Sequence, residues 1–531
     1  MVKLYNTAMR MSNFQKGLII VLIAFFFLGG FLFVARLLLA DAFSKEEAQH
    51  ALYSLWLYKD LRAFDLGAFW YDTNRQVFWP FFHSWVGALF FLVFGANFFA
   101  ARFPSFLLFA ATLLLMYLAC ARFSEKSGWK IGVLAVLMAL TSPMMLKYSV
   151  ANSLESLGAL IFMATFYLYS IYEETKLTSE YALLAVLMGL SIYTNYLYAY
   201  LILPAFIVMT LGKLAPLMIE VVSLRRKGEK EVYHFVWWAY RKLIILLVLT
   251  FFVAGWFFSN TFSRKILLLL QAIFRYSGGE QVGGVWNNLV FYPRAIIEQY
   301  TFSPWLGALV LLSIFLPFLG LRFRHFGKLY TFIWTALVLT TLTIPTKAPQ
   351  FIYLVAPFLF IVFSVSVVYA LEKLNNFKVA LAVLLVIFLP ATLSLPRLAS
   401  LYLPERPGEN MASVLKYFKQ AILPRYPVAA ALNLQHLNPE GISFYLWAWN
   451  APLLTDPAIG ADELYRNGKY FLTVSLDKNS PCQSEVIDDS IYLWNGFLAD
   501  KQRQGRVKEF SARRFEKMGL TATIYEKQSE R

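Results

Sequence analysis

Three stretches carry residues whose types and spacing suit chemistry. In Ser44-Lys45-Glu46-Glu47-Ala48-Gln49-His50-Ala51, Glu46 and His50 stand four residues apart. A helix would put both on one face and turn Glu47 elsewhere. A carboxylate held near hydrocarbon can have its pKa raised, which suits a general base; the plainer alternative is a solvated loop that caps a helix. Glu155, in Asn152-Ser153-Leu154-Glu155-Ser156, lies just inside an apolar run. A charge there is costly and marks a functional position by default, the alternative being an acid that snorkels to the interface. Lys347, in Thr346-Lys347-Ala348-Pro349-Gln350, opens another apolar run. It suits a bound anion such as a phosphate, or is an ordinary interfacial lysine.

Other chemistries find little support. Gly278-Gly279 and Gly283-Gly284 flank no strand-to-helix unit and read as loop rather than nucleotide cradle. The 5 His form no close pair and have no Cys partner, which argues against zinc. The chain holds no Gly-x-Ser-x-Gly elbow and no Walker motif. Cys120 and Cys482 cannot make a disulfide framework.

The elements that must position these residues are membrane helices. Of 531 residues, 59% are hydrophobic and only 15% charged, and the mean hydropathy is +0.56. Soluble domains carry about 25% charged residues, so the chain is read as an α-helical polytopic membrane protein. The 18% aromatic share, with 50 Phe, reads mostly as lipid contact. The net charge of +16 is ascribed to cytoplasmic loops, with no nucleic-acid partner. The run from Leu18 is expected to be a signal anchor rather than a cleaved peptide.

Eleven runs approach the roughly 20 apolar residues of a spanning helix: 18–40, 103–121, 131–146, 154–172, 181–193, 196–211, 243–258, 304–321, 329–344, 351–371 and 379–395. The fold expectation is therefore about 11–13 transmembrane helices. With the N-terminus inside, eleven spans put the basic loops 122–130, 213–242 and 322–328 in the cytoplasm. A twelfth apolar run, 81–99, would invert the later loops if it crossed, so it is read as juxtamembrane or re-entrant. The acidic loop 41–80, Glu155, the segment 260–303 and Lys347 then share the outer face. After Pro396 the composition turns polar, and Pro404, Pro407, Pro424, Pro427 and Pro439 punctuate it. Helical periodicity over 412–422 and 462–467, with β-prone runs at 428–434, 470–476 and 521–526, predicts a small α/β domain. The expected division is a membrane domain over 1–396 and an extracytoplasmic α/β domain over 397–531.

These pieces, in this order, resemble the GT-C superfamily of polyprenyl-phosphate-sugar-dependent glycosyltransferases. The branch is the protein O-mannosyltransferase-like group, to which bacterial lipid A aminoarabinose transferases are related. The likeness is carried by Glu46-Glu47-Ala48, by Trp79-Pro80-Phe81-Phe82-His83-Ser84-Trp85, and by Phe94-Gly95 with Ala100-Ala101-Arg102-Phe103-Pro104-Ser105. It continues in Thr141-Ser142-Pro143, Glu155, Gly189-Leu190-Ser191-Ile192-Tyr193-Thr194-Asn195-Tyr196, and Lys347 to Tyr353 with Pro357. Glu46 stands where the family usually has Asp, and Trp79 and Asn195 replace basic residues, which argues against aminoarabinose transfer in particular.

The resemblance implies transfer of one sugar from a polyprenyl-phosphate donor to an acceptor hydroxyl of a protein, lipid or glycan. Transfer would invert the anomeric centre on the outer face of a plasma (inner) membrane. It implies Glu46 as base and Glu155 as a partner that orients the acceptor or helps Glu46 hold a divalent cation, Mg or Mn. Substrate-binding positions are expected at Glu47, His50, Asp72, His83, Arg102, Arg275, Lys347 and Tyr353, with Lys347, Arg275 and Arg294 as phosphate clamps. The rival readings are a lipid or sugar transporter or flippase and a lipid-linked oligosaccharide ligase or polymerase.

Overall fold

The computed structural model describes residues 13–39, 41–76, 79–124, 126–172, 179–208, 280–281, 283–315, 326–374, 389–403, 410–422, 426–447, 453–454, 461–478 and 480–528, with short pieces between 222 and 255. The run 243–258 is described only in pieces, 379–395 falls largely outside the described residues, and Arg275 lies wholly outside.

The chain opens with α1, Asn13–Leu38, a 26-residue apolar helix with widened turns at Phe25–Gly29 and Phe33–Leu38. Two helices of the acidic loop follow, α2 (Lys45–Arg62) and α3 (Leu66–Asn74), then α4 (Phe82–Phe94) and α5 (Phe98–Ala121). Helix α4 has 13 residues and is about 20 Å long at 1.5 Å per residue, short of the roughly 30 Å hydrocarbon core. Gly95, at φ 74, breaks the chain after it, a conformation open to glycine. Asn97 then caps α5 by accepting the Ala100 N–H at 2.8 Å, so this helix starts earlier than the expected Phe103. Gly87 lets α4 lie close on α2, since a Cβ there would meet the Ser54 hydroxyl at 2.3 Å.

The run expected to span 131–146 is bent. Helix α6, Gly128–Leu140, meets α7, Pro143–Ser149, at 73°. Ser142 caps the new helix and Pro143 occupies its first position, where a missing N–H costs nothing. Helices α8 (Glu155–Tyr172), α9 (Ser179–Thr194) and α10 (Tyr196–Val208) complete the first half. A short antiparallel pair, β1 (Glu280–Gln281) with β2 (Thr346–Lys347), sets Glu280 opposite Lys347. The later helices are α11 (Val285–Ala295), α12 (Pro304–Ser313), α13 (Phe326–Leu342), α14 (Ala356–Leu374) and α15 (Leu395–Tyr402). Among the described residues three helices are long and apolar enough to cross a membrane, four if the bent pair counts as one, with six shorter apolar helices beside them.

The C-terminal part is α16 (Met411–Ala421), β3 (Val428–Ala430), α17 (Pro439–Trp447), β4 (Leu453–Leu454), α18 (Ala461–Asn467), β5 (Tyr470–Leu476), α19 (Ser490–Arg503), β6 (Val507–Phe515) and β7 (Leu520–Lys527). Its five-stranded sheet has the order β4-β3-β5-β7-β6. Strand β3 runs parallel to β4 and β5, and β7 runs antiparallel to β5 and β6. Alternation along β5 divides two apolar layers. Tyr470, Leu472 and Val474 face the layer of Leu415 and Phe418 from α16. Phe471 faces that of Leu464, Trp494 and Leu498 from α18 and α19.

Candidate active site

Helix α2 delivers the acidic pair, and its first turn explains which acid does what. Glu47 is buried, 8% exposed. One carboxylate oxygen accepts Arg102 Nε at 2.7 Å and the Asn152 N–H at 2.9 Å; the other accepts Arg102 Nη2 at 2.9 Å and the Ser44 N–H at 3.1 Å. Burial alone would raise its pKa, but the Arg102 charge and these hydrogen bonds prevail and hold it at about 2. Arg102 also donates to the carbonyls of Asp41 and Ala42. Both residues were expected to bind substrate; they bind each other and the turn that leads to Glu155.

Glu46, one residue earlier, is exposed, and Glu155 is half-buried at the first turn of α8. The two carboxylates lie within electrostatic reach of each other. Asn152 joins their elements a second time, its Nδ2 donating to the Glu47 carbonyl at 2.9 Å. Two acids separated by 109 residues, the difference of their numbers, are thus brought within electrostatic reach.

Sequence reasoning overlooked a wall of tyrosines around Glu155. Tyr148, Tyr198, Tyr300 and the expected Tyr353 are all buried and lie within its electrostatic reach. The rings of Tyr148 and Tyr353 meet edge to face at 5.5 Å, and the Tyr353 hydroxyl donates to the Met145 carbonyl at 3.3 Å. Lys147 was overlooked too. It is exposed, its ammonium sits 5.4 Å from the Tyr148 ring centroid, and its charge acts on Glu155. The available signal was adjacency: Lys147-Tyr148 directly precedes the turn to Glu155.

His50 lies on α2 one turn after Glu46, as the spacing required, but it is buried with its ring 5.3 Å from that of His83 and 5.6 Å from that of Trp79. Burial first, and His83 second, push its pKa down to about 3 against the pull of Glu47, so it is neutral at physiological pH. His83 is also buried, and its Nδ1 has no hydrogen-bond partner.

Three expectations meet a different arrangement. Lys347, expected to clamp the donor phosphate, is 1% exposed, and its ammonium donates to the carbonyls of Thr340, Thr341 and Ile344. It completes the open C-terminal end of α13, where a cation also complements the helix dipole. Asp72, on α3, pairs with Arg75 at 3.0 Å and shares a hydrogen bond with Asp60. Arg294 pairs with Glu298 at 2.8 Å.

Residues 79–222 match the family described as dolichyl-phosphate-mannose-protein mannosyltransferase. The fold is similar to that of ArnT from Cupriavidus metallidurans bound to undecaprenyl phosphate, with a TM-score of 0.57 and 14% identity, covering 96% of this chain and 98% of that one. The apo state of the same protein gives 0.54 and 15%, covering 96% and 97%. The oligosaccharyltransferase AglB from Archaeoglobus fulgidus, in complex with an inhibitory peptide and a dolichol-phosphate, gives 0.51 and 10%, covering 86% and 69%. No protein of curated function matches in sequence. The chain therefore shares the membrane fold of ArnT, with an α/β sheet unit at its C-terminal end. The matches to the mannosyltransferase family model and to ArnT agree with the resemblance read from the motifs.

Proposed function

We propose that the chain is an integral-membrane glycosyltransferase that moves one sugar from a polyprenyl-phosphate donor to an acceptor hydroxyl, inverting the anomeric carbon. The observation that carries this reading is that this fold brings Glu46 within electrostatic reach of Glu155. In the step, Glu46 takes the acceptor proton as the hydroxyl oxygen attacks the anomeric carbon. The bond from that carbon to the phosphate oxygen breaks, and the electron pair leaves with polyprenyl phosphate. Glu155, the second carboxylate, orients the acceptor. The leaving phosphate needs positive charge; exposed Lys147, rather than Lys347 with its carbonyl partners, supplies it. The membrane domain spans 1–396, and Glu46, Glu155 and the 397–531 domain face the extracytoplasmic side of a plasma (inner) membrane.

Glu46 and Glu155 are the hard oxygen ligands that would hold a divalent cation, with water and phosphate oxygens completing its shell. Among the described residues no cluster of three or more His, Cys, Asp or Glu gathers anywhere. A bound Mg or Mn would offset charge on the departing phosphate.

Purified protein in lipid nanodiscs, given radiolabelled polyprenyl-phosphate sugars and hydroxyl acceptors, should pass label to an acceptor. Label that crosses a bilayer without transfer would replace this reading with a flippase.

A further inference from the structure

Helix α17 of the α/β unit reaches back into the membrane unit and lies against α2. Phe444, 1% exposed, is driven between the two. Its ring stands 5.0 Å from Phe43, 5.8 Å from Phe91 and 6.2 Å from Phe98, centroid to centroid. It shares one apolar cluster with Ala48, Ala51 and Leu55, the inward face of α2. The α17 backbone is close as well: a Cβ on Gly441 would sit 3.8 Å from Cβ of Ala48. Asn438 Nδ2 donates to the Phe43 carbonyl at 3.3 Å. A second tether joins the same end of α2 to α16, where the Ala412 N–H donates to the Asp41 carboxylate at 3.1 Å.

We propose that Phe444 is a positioning residue for Glu46, and that the α/β unit sets the acidic pair rather than riding as an appendage. This rests on the function proposed above. The residues that grip α17 and α16, namely Asp41, Phe43 and Ala48, bracket Glu46 in sequence. Glu46 points out of the opposite, exposed side of the first turn. Whatever lets that turn tilt therefore moves the carboxylate relative to Glu155. Glu47 fixes the turn from the α5 side and Phe444 from the α17 side; with the wedge gone, the Glu47 clamp and two hydrogen bonds to flanking residues are what hold it. A displacement on the order of 1 Å at a reacting group can cost about 10²-fold in rate.

The test compares Phe444→Ala, Phe444→Leu and Asp41→Ala with the unaltered protein in nanodiscs, in two measurements. Phe444→Ala should lower kcat by about 10²-fold while donor KM stays within about twofold. Phe444→Leu should recover most of the loss, and Asp41→Ala, which removes the acceptor of the Ala412 N–H, should lower kcat in the same direction. The second measurement needs no substrate. Spin labels go on cysteines at Lys45 and Lys147, both exposed, while the native Cys120 and Cys482 are buried. The distance distribution between them should broaden in Phe444→Ala and narrow again in Phe444→Leu. An unchanged distribution overturns the proposal, as does a kcat that falls only in proportion to folded protein. A distribution that broadens in a protein whose unaltered form transfers no sugar leaves the wedge standing and removes the glycosyltransferase reading.

Discussion

Glu47 and Arg102 close a buried ion pair at 2.7 Å, and through Asn152 that pair ties the helix of Glu46 to the turn of Glu155. Removing one partner of such a pair leaves the other charged and buried, which costs about 3–5 kcal/mol. Arg102→Ala should therefore lower the thermal unfolding midpoint sharply, and Arg102→Lys should restore only part, because an ammonium cannot reproduce the fork. The pair also sets an acid limit. Glu47 holds its charge down to about pH 2 in the folded chain and to roughly 4.3 in the unfolded one. Its stabilisation is complete above about pH 5 and is lost as pH falls toward 2. Midpoints measured from pH 7 downward in Arg102→Ala should lack that part of the acid loss.

Glu46→Gln keeps the shape of the proposed base without its basicity. Donor binding should persist while turnover drops by about 10²–10⁴. Glu46→Asp should keep more activity than the glutamine. Glu47→Gln, the natural comparison from spacing alone, is not mild in this structure: it weakens the clamp and should show first as lost folded protein. Full turnover in Glu46→Gln would remove Glu46 from the reaction.

Two lysines can be set against each other. Lys147→Ala should raise the donor KM without shifting the unfolding midpoint. Lys347→Ala uncovers three carbonyls at the end of α13 and should shift the midpoint first. The opposite pattern, with donor binding lost only in a well-folded Lys347→Ala, would return the phosphate to Lys347.

Asp60 gives a pH signature of the opposite sign. Burial, then the charges of Asp72 and Asp65, raise its pKa to about 6 against the pull of Arg75. The folded chain thus keeps a proton that the unfolded chain loses near pH 3.9. Stability from this group is present at low pH and lost as pH rises through about 6. Asp60→Asn should raise the midpoint at pH 8 and leave little difference near pH 4. Equal shifts at both values would show that the group does not titrate this way.

The membrane class and the two acids were legible because a carboxylate beside an apolar run is conspicuous in any sequence. Three of the four tyrosines were not, since an 18% aromatic chain hides useful rings among many that meet lipid, and only Tyr353 stood in a motif. Lys347 misled for a related reason. Its three carbonyl acceptors belong to a helix end that only tertiary packing brings under it, so its residue type and place in the chain gave the same signal as an exposed cation. Helix α17 was lost to its opening: Pro439-Glu440-Gly441 reads as a turn, although proline is at home in the first position of a helix. Neither its docking on α2 nor Phe444 leaves a periodic trace in so short a segment.

The wedge at Phe444 also imposes an order on biosynthesis. The Asn438–Phe43 contact beside it joins positions 395 residues apart. At roughly 5–20 residues per second, α2 emerges about 20–80 s before α17 exists to meet it. Through that interval the first turn of α2 has its Arg102 partner but no apolar cover, and Phe43, Phe91 and Phe98 lack the ring that later fills the space between them. On the role proposed for Phe444, a nascent chain keeps its acidic turn without this wedge until α17 has been made and folded back onto α2.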